Sequence, residues 1–455
     1  MKIVIVGDGK VGYTLTSQLL KEGHDIVVID NNPDVLEDSL EKLDVMVVNG
    51  NGATLKTQTE ADVANSDLLI AATSADEVNL LCCFLARKLG CRHTICRVRN
   101  PDYAQSIQFM REDFGLSMTV NPELAAAREI FRMLQFPSFL KRDAFAKGRV
   151  EIVELKISSE SALVGRKLEK LSDILRGVKV LVCAVERGDN VYIPDGSFVF
   201  EANDKITVTA PRSELVKLIK ALKVSNQKIK DVIIIGGSRI AVYLSDDLIK
   251  SGVNVKIIEQ NLDKCRLLSE RLPNAVIING DGTLQDFLIS EGIEETDAVV
   301  SLTNIDEENL IISMYADHCG VSKTVTKIDR TEYIHLFRDK GIGSVVCPKM
   351  LTSYEIIRYV RAMENTTGGS VKTLHRIVDE KVEALEFAAT HNTKYLGEPL
   401  KKIKLKNNIL IACINRMGRI IIPSGNDYIS AGDTVIVVTT ADRKFSDIND
   451  VFSEN

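Results

Sequence analysis

Short unbroken apolar runs alternate with stretches of helical spacing from the start of the chain, and the alternation begins again half-way along it. Lys2-Ile3-Val4-Ile5-Val6 reads as a strand, Val11 to Lys21 as a helix, and Asp25-Ile26-Val27-Val28-Ile29 as a second strand closed by Asp30. Val35–Leu43 has helical spacing, Val45–Val48 and Asp67–Ala72 read as strands, and Thr73 follows the latter. Val78–Leu89 is helical, Thr94–Arg97 a short strand and Met118–Val120 a sixth. Strands that are apolar throughout must be covered on both faces, and amphipathic helices between them supply the cover, so the pattern predicts a doubly wound parallel sheet. Ligands lie outside the carboxyl ends of such strands, the edge at which Thr73 and Arg97 are expected. A further helix, Leu124 to Leu134, is expected to lead away from the sheet and carry changes in it to the next module, with Gln135-Phe136-Pro137-Ser138 as its stop.

Beyond this the period changes. Val150–Ile157, Lys179–Glu186, Val191–Ile193 and Lys205–Ala210 read as strands, with turns at Arg187-Gly188-Asp189-Asn190 and Pro194-Asp195-Gly196 and a closing helix from Ser213 to Lys223. After the polar stretch Ser225–Lys228 the whole order returns. The distance from Gly7 to Gly236 and from Asp30 to Glu259 is the same 229 positions. Asn49–Gly52 is answered by Asn279–Gly282, Thr73, Asp76, Glu77 and Asn79 by Thr303, Asp306, Glu307 and Asn309, and Arg97 by Lys327. Turn and strand-end residues match as well as apolar ones, which marks a tandem duplication. The expected units are 1–135, 140–224, 229–364 and 370–455: two Rossmann-like α/β domains, each followed by a small α+β module.

The loop after the first strand, Gly7-Asp8-Gly9-Lys10-Val11-Gly12, has the G-x-G-x-x-G pattern in the strand–turn–helix context that gives it meaning. Gly7 makes the tight turn, Gly9 leaves room for a pyrophosphate, and Gly12 lets the helix lie close to the strand. The helix N-terminus offers its free N–H groups to phosphates. Asp30 is placed to accept hydrogen bonds from both ribose hydroxyls, and its charge, with no arginine at Asn31 or Asn32, selects NAD(H) over NADP(H). ATP and ADP share the ribose and phosphates and are expected to compete. The second loop departs from the pattern: Gly236-Gly237-Ser238-Arg239-Ile240-Ala241 has Ser238 where the second glycine stands, and its Cβ is expected to crowd a pyrophosphate. Ala241 is the milder change. The second site, with Glu259 as its acid and Arg239 as a phosphate partner, is left to bind something smaller or weaker, or nothing.

The chain has 455 residues, 45% of them hydrophobic and 26% charged, with a net charge of -6 that argues against nucleic acid as the main partner. No apolar run is long enough to cross a bilayer, and the short Ile3–Val6 run is no signal peptide, so a cytoplasmic location is expected. The nine cysteines lack C-x-x-C spacing and read as buried reduced thiols, Cys82-Cys83 among them. An NAD-dependent dehydrogenase would need a positioned acid–base group beside the nicotinamide. His24 and His93 fall at strand beginnings away from the ligand edge, His375 and His391 lie in the second β-rich module, and Asp76-Glu77 complements a helix dipole, so no enzyme is expected.

These features together resemble the tandem RCK (KTN) family of potassium-transport regulators. The resemblance rests on Met1–Asp30, Asn49–Thr54, Thr73–Asn79 with Arg97, the join Phe145–Val150 with Glu154, and the turns Leu163-Val164-Gly165 and Asp204-Lys205-Ile206 with their copies. It implies nucleotide contacts from Gly7, Asp8, Gly9, Lys10, Val11, Gly12, Asp30, Asn51, Thr73, Ser74 and Arg97, and from Gly236, Gly237, Ser238, Arg239, Ile240 and Glu259. It also implies assembly into a homo-oligomeric ring on the inner face of the membrane and control of an integral Trk-type potassium transporter. In related families the β-rich modules bind cyclic dinucleotides, and Lys401, Lys402 and Lys404 leave that alternative open.

Overall fold

The computed structural model describes all residues except 136–138, 140, 146–149, 176, 189, 223–227, 331–343, 366–370, 378–380, 441–444, 446 and 454–455. The expected helix stop at 136–138, most of the Phe145–Val150 join, Asp189 of one turn, and Ser225–Gln227 of the linker lie outside the described residues, as does the side chain of His375.

Strands β1 (Lys2–Val6), β2 (Asp25–Asp30), β3 (Met46–Asn49), β4 (Leu68–Ala71), β5 (His93–Arg97) and β6 (Met118–Val120) form one parallel sheet in the order β3-β2-β1-β4-β5-β6. Helices α1 (Lys10–Lys21), α2 (Pro33–Lys42), α3 (Leu55–Glu60), α4 (Asp76–Leu89) and α5 (Ala104–Phe109) connect them, α3 and α5 being additions to the helices read from periodicity. The order reverses at β1 and β4, so a crevice opens at their carboxyl ends. One face of the sheet buries Val4, Val27, Leu69 and Cys96 with Cys82 and Cys83 of α4, and the other buries Ile3, Ile5, Val28 and Ile70 with Leu15 and Leu19 of α1. This is the double burial that unbroken apolar strands require. The cysteines are free, and all but Cys319 are buried.

Helix α6 (Pro122–Gln135) follows β6, and here the sequence expectation is corrected. It does not simply lead on to the next module. Its Ala126, Ala127, Ile130, Met133 and Leu134 enter the core of the second Rossmann-like domain, against Val232, Ile234, Leu244 and Leu248. That domain's strands are β12 (Asp231–Ile235), β13 (Asn254–Glu259), β14 (Val276–Asn279), β15 (Ala298–Ser301), β16 (Lys323–Lys327) and β17 (Ser344–Val346), in the order β14-β13-β12-β15-β16-β17. Its connecting helices are α9 (Arg239–Lys250), α10 (Leu262–Arg271), α11 (Gln285–Ser290) and α12 (Asp306–His318). Its own last helix, α13 (Pro348–Asn365), returns the exchange: Ile356, Ile357 and Val360 join Leu15 and Leu19 in the first domain's core. Arg361 of α13 makes a two-pronged ion pair with Glu22 at the end of α1, at 2.9 and 2.5 Å. The last helix of each Rossmann-like domain thus covers the sheet of the other.

The first β-rich module is an antiparallel sheet of β7 (Lys141–Phe145), β8 (Val150–Lys156), β9 (Leu181–Arg187), β10 (Asn190–Tyr192) and β11 (Lys205–Ala210), in the order β10-β9-β11-β8-β7. Strand β7 is absent from the periodicity reading. Two further helices, α7 (Leu171–Leu175) and α8 (Arg212–Ala221), belong to this module. Its copy uses β18 (Val371–Ile377), β19 (Val382–Ala388), β20 (Ile409–Arg416), β21 (Arg419–Ile421) and β22 (Thr434–Thr440) in the equivalent order β18-β19-β22-β20-β21. Alternation along each strand serves two cores. Val153 and Leu155 face their own module's interior with Leu215 and Leu218, while Val150 and Ile152 meet Val382, Ala384, Ile436 and Val438 of the other module. The halves are therefore joined twice, by exchanged helices and by face-to-face sheets. Lys323 of β16 adds a strut: its ammonium donates to the Phe139 carbonyl at 2.9 Å, and the Phe139 ring lies in the first β-rich core.

Candidate functional site

The first loop is built on glycine. Gly7 has φ +95°, and a Cβ there would stand 2.8 Å from the Thr73 backbone nitrogen, so the position needs both the left-handed conformation and the missing side chain. Gly12 would place a Cβ 1.8 Å from the Gly7 carbonyl oxygen. Ala241, the mild change by sequence, therefore cannot be transferred to the first copy without opening that loop. Gly9 is different. A Cβ there meets no protein atom within 4 Å, so the open space over it is available to a ligand.

Gly9 begins α1 with no side chain capping it, and the first N–H groups of the helix stay available to an anion. In the second copy the Ser238 hydroxyl accepts from the Ala241 N–H at 3.4 Å. Ser238 thus adds bulk at the start of the helix and occupies one of its N–H groups. Gly9→Ser is expected to leave the unfolding midpoint unchanged while weakening nucleotide binding at the first site, and Ser238→Gly to strengthen it at the second. Calorimetric titration of both variants checks this, and unchanged affinities in both would refute the role given to Ser238.

Asp30 ends β2 with Oδ2 accepting the Asp8 N–H at 2.7 Å and Oδ1 accepting the Asn32 N–H at 2.9 Å. Glu259 repeats this with Gly237 and Asn261, both at 2.9 Å. Each acid shapes its loop through two backbone N–H bonds. Val11 and Ile240 point their side chains into the cores, so only their backbone can serve a ligand. Asn51 turns its side chain to the Ala53 N–H at 2.9 Å. The Thr73 hydroxyl donates to Asn79 Oδ1 at 2.7 Å, and Asn79 Nδ2 donates to the Thr73 and Arg97 carbonyls at 3.2 and 3.0 Å, tying the ends of β4 and β5 together. Asn309 does the same for Thr303 and Lys327 at 3.1 Å each. Asp76 is more than a helix-dipole charge: buried, it accepts the Arg99 and Asn100 N–H groups at 2.9 and 2.8 Å.

The two loops face a shared interface. Lys10 Nζ lies 2.9 Å from Asp329 Oδ2, beyond β16 of the other half. Being exposed, this pair is worth at most about 1 kcal/mol and matters as a connection. From the second half, the Tyr243 hydroxyl of α9 accepts from Asn121 Nδ2 at 3.0 Å and donates to the Arg99 carbonyl at 3.2 Å. Arg99 also donates to the Ser74 carbonyl. Arg97, at the end of β5, is held below the usual guanidinium range by burial, with Glu123 opposing and Arg99 and Arg239 reinforcing the shift. Its Nε and that of Arg99 are buried without hydrogen-bond partners. Over the second loop lies a cavity of about 760 Å³, lined by Gly236 to Ile240, Glu259, Thr303 and Lys327 from the second half and by Lys10, Arg97, Arg99 and Glu123 from the first. Sequence reading brought together the loop residues and acids but not Arg99, Tyr243, Asn121, Glu123 or Asp329. For these no local motif exists; the tying roles of Asn79 and Asp76 carried a signal in their duplicates, Asn309 and Asp306.

Residues 3–122 and 232–348 match the TrkA-N domain, and residues 152–223 and 384–448 the TrkA-C domain. The chain belongs to the TrkA family. The Trk system potassium uptake protein TrkA homolog 1 of Methanosarcina mazei is 35% identical to it, across 97% of this chain and 98% of its own. The Trk system potassium uptake protein TrkA of Halomonas elongata is 32% identical, across 99% and 98%. Among solved structures, the GsuK RCK domain superposes with a TM-score of 0.65 at 18% identity, covering 97% of this chain and 92% of that one. The GsuK channel bound to NAD gives 0.64 at 18%, covering 97% and 77%. At such identities the likeness is one of fold. The shared arrangement is two parallel-sheet domains, each followed here by a TrkA-C module.

Proposed function

We propose that this chain is the nucleotide-binding regulatory subunit of a Trk-type potassium transporter, and that NAD(H), with ATP or ADP competing, sets potassium flux through it. The observation that carries the reading is the position of the first nucleotide loop. Its uncapped helix N-terminus and Asp30 make a dinucleotide site, while Lys10 of the same loop is bonded to Asp329 of the other half. A ligand drives a conformational change only through different affinities for two arrangements, and a site on a seam between two bodies meets that condition. Relatives named for potassium uptake and a channel of the same fold bound to NAD support the class of output and ligand.

The proposed partner is an integral membrane protein, a reading supported by relatives named for potassium uptake. The subunit would sit at the inner face of the membrane through that partner. A homo-oligomeric ring is supported by apolar side chains exposed at matching places in the two halves, Leu81 and Phe84 on α4 and Ile311 and Met314 on α12. The regulatory role is tested by potassium uptake. A strain lacking the protein is expected to grow poorly at low potassium and to be rescued by the wild type, but not by Gly9→Asp with Asp30→Ala. If that double variant folds, joins its membrane partner, binds no nucleotide at the first site and still gives normal nucleotide-dependent flux, the proposal is wrong.

A further inference from the structure

Asp8 is a carboxylate in an unexpected place. It stands inside the first nucleotide loop between Gly7 and Gly9, yet it is only 2% exposed. Oδ2 accepts from the Ser39 hydroxyl of α2 at 2.5 Å, and Oδ1 is buried with no hydrogen-bond partner. Among the described residues no cation forms an ion pair with it. From β2 the group facing it is another acid, Asp30, which holds the Asp8 N–H at 2.7 Å. From α2 the buried residues are Leu36 and Ser39, which carry no charge. From α1 the nearest cation in sequence, Lys10, is engaged by Asp329 on the other half at 2.9 Å. Burial first, and the Asp30 charge after it, push the Asp8 carboxyl up to about 6 against the opposing Ser39 bond.

The second copy shows that the fold does not need this acid. Gly237 stands at the position of Asp8 and Leu268 at that of Ser39, and a Cβ on Gly237 would lie 2.5 Å from the Leu268 side chain. One copy fills the space under the loop with a leucine and the other with a hydrogen-bonded carboxyl. The carboxyl is the costlier filling, because a buried acid without a cation is disfavoured in its charged form.

Resting on the nucleotide reading of this site, we propose that the first site is proton-linked: Asp8 takes up a proton from solvent when a pyrophosphate binds on the loop beside it. The physical reason is charge. A bound pyrophosphate brings negative charge and excludes water next to two acids, Asp8 and Asp30. Asp30 already accepts two backbone N–H bonds, whereas Asp8 has one hydroxyl bond and an empty oxygen. The proton therefore goes to Asp8. Binding and protonation then favour one another, so nucleotide affinity falls as pH rises above about 6, and the site reports pH together with nucleotide. Gly237 removes this linkage from the second site.

The test is calorimetry of NAD, whose pyrophosphate does not titrate in this range, with the full chain at pH 6, 7 and 8 in two buffers of different ionisation enthalpy. For a rise of one pKa unit on binding, from about 6 to about 7, wild type is expected to lose about fivefold in affinity from pH 6 to pH 8 and to take up about 0.4 proton at pH 6 and pH 7, falling to about 0.1 at pH 8. Asp8→Asn, which mimics the protonated acid, is expected to bind with no buffer dependence, a flat pH profile and higher affinity than wild type at pH 8. Should Asp8→Asn misfold, Asp8→Gly with Ser39→Leu, the second copy's own pair, is expected to show the same flat profile. A flat wild-type profile overturns the linkage while leaving the nucleotide site standing, as does a pH dependence that persists in both variants. No NAD binding at the first site at any pH overturns both.

Discussion

Asp30→Ala is expected to lower the affinity of the first site for NAD, NADH, ATP and ADP together, by about two orders of magnitude. The carboxylate accepts the Asp8 and Asn32 N–H groups and is left with lone pairs facing the crevice at the ends of β1 and β4. Hydrogen bonds to a charged acceptor contribute about 1.5–3 kcal/mol each, so losing two ribose bonds costs about 3 kcal/mol or more. Loosening the loop adds to this, because the Asp8 N–H loses its acceptor. The loss should be shared by all adenine nucleotides, since they have the ribose in common. NADPH should bind wild type far more weakly than NADH, its 2′-phosphate meeting the same carboxylate. Calorimetry with each nucleotide decides: NADPH binding as tightly as NADH, or an Asp30→Ala chain with unchanged affinity, rules out this placement of the ribose.

The second large effect concerns the exchanged helices. Ile130→Ala in α6 should destabilise the chain by about 2–5 kcal/mol, the usual cost of emptying a buried isoleucine site. The residue belongs to the first half by sequence but is fully buried in the second half's core, beside Val232, Ile234 and Val300. Hydrogen exchange should therefore show reduced protection in Val232–Ile235 and Ala298–Ser301, with Lys2–Val6 little changed. Ile356→Ala in α13 should do the reverse, releasing the first sheet, whose core it enters with Ile3, Ile5 and Leu15. If each substitution loosened the sheet of its own half, the exchange of helices would be wrong. The same architecture means that a fragment holding only the first half would lack the cover supplied by Ile356, Ile357 and Val360.

What could be read from the sequence was what neighbouring residues decide among themselves. Val4, Val28 and Leu69 sit in apolar runs because their strands are buried on both faces, and that need is written locally, residue by residue. Gly7, Gly9, Gly12 and Asp30 were legible because one turn and the end of the next strand fix their geometry, and the constant spacing to Gly236 and Glu259 exposed the duplication. Strand β7, Lys-Arg-Asp-Ala-Phe, was not legible, since it is an edge strand held by backbone pairing with β8 and carries no apolar period of its own.

Tertiary structure alone decided which partner each apolar face meets. The stripe Ala126, Ile130, Met133 and Leu134 says that α6 must be covered, but an apolar stripe does not name its partner, and the structure sets it on the second half's sheet. The same holds for the polar groups on that seam. Lys10 and Asp329 are 319 positions apart, and Tyr243 and Arg99 are 144 apart; no spacing rule reaches across such distances. Asp8 shows the limit most plainly. Its place in the loop is visible in the sequence, but its burial against Ser39 and Asp30 depends on how α2 packs over β2 and β3, and it is that packing which pushes the carboxyl of an ordinary surface residue type up to about 6.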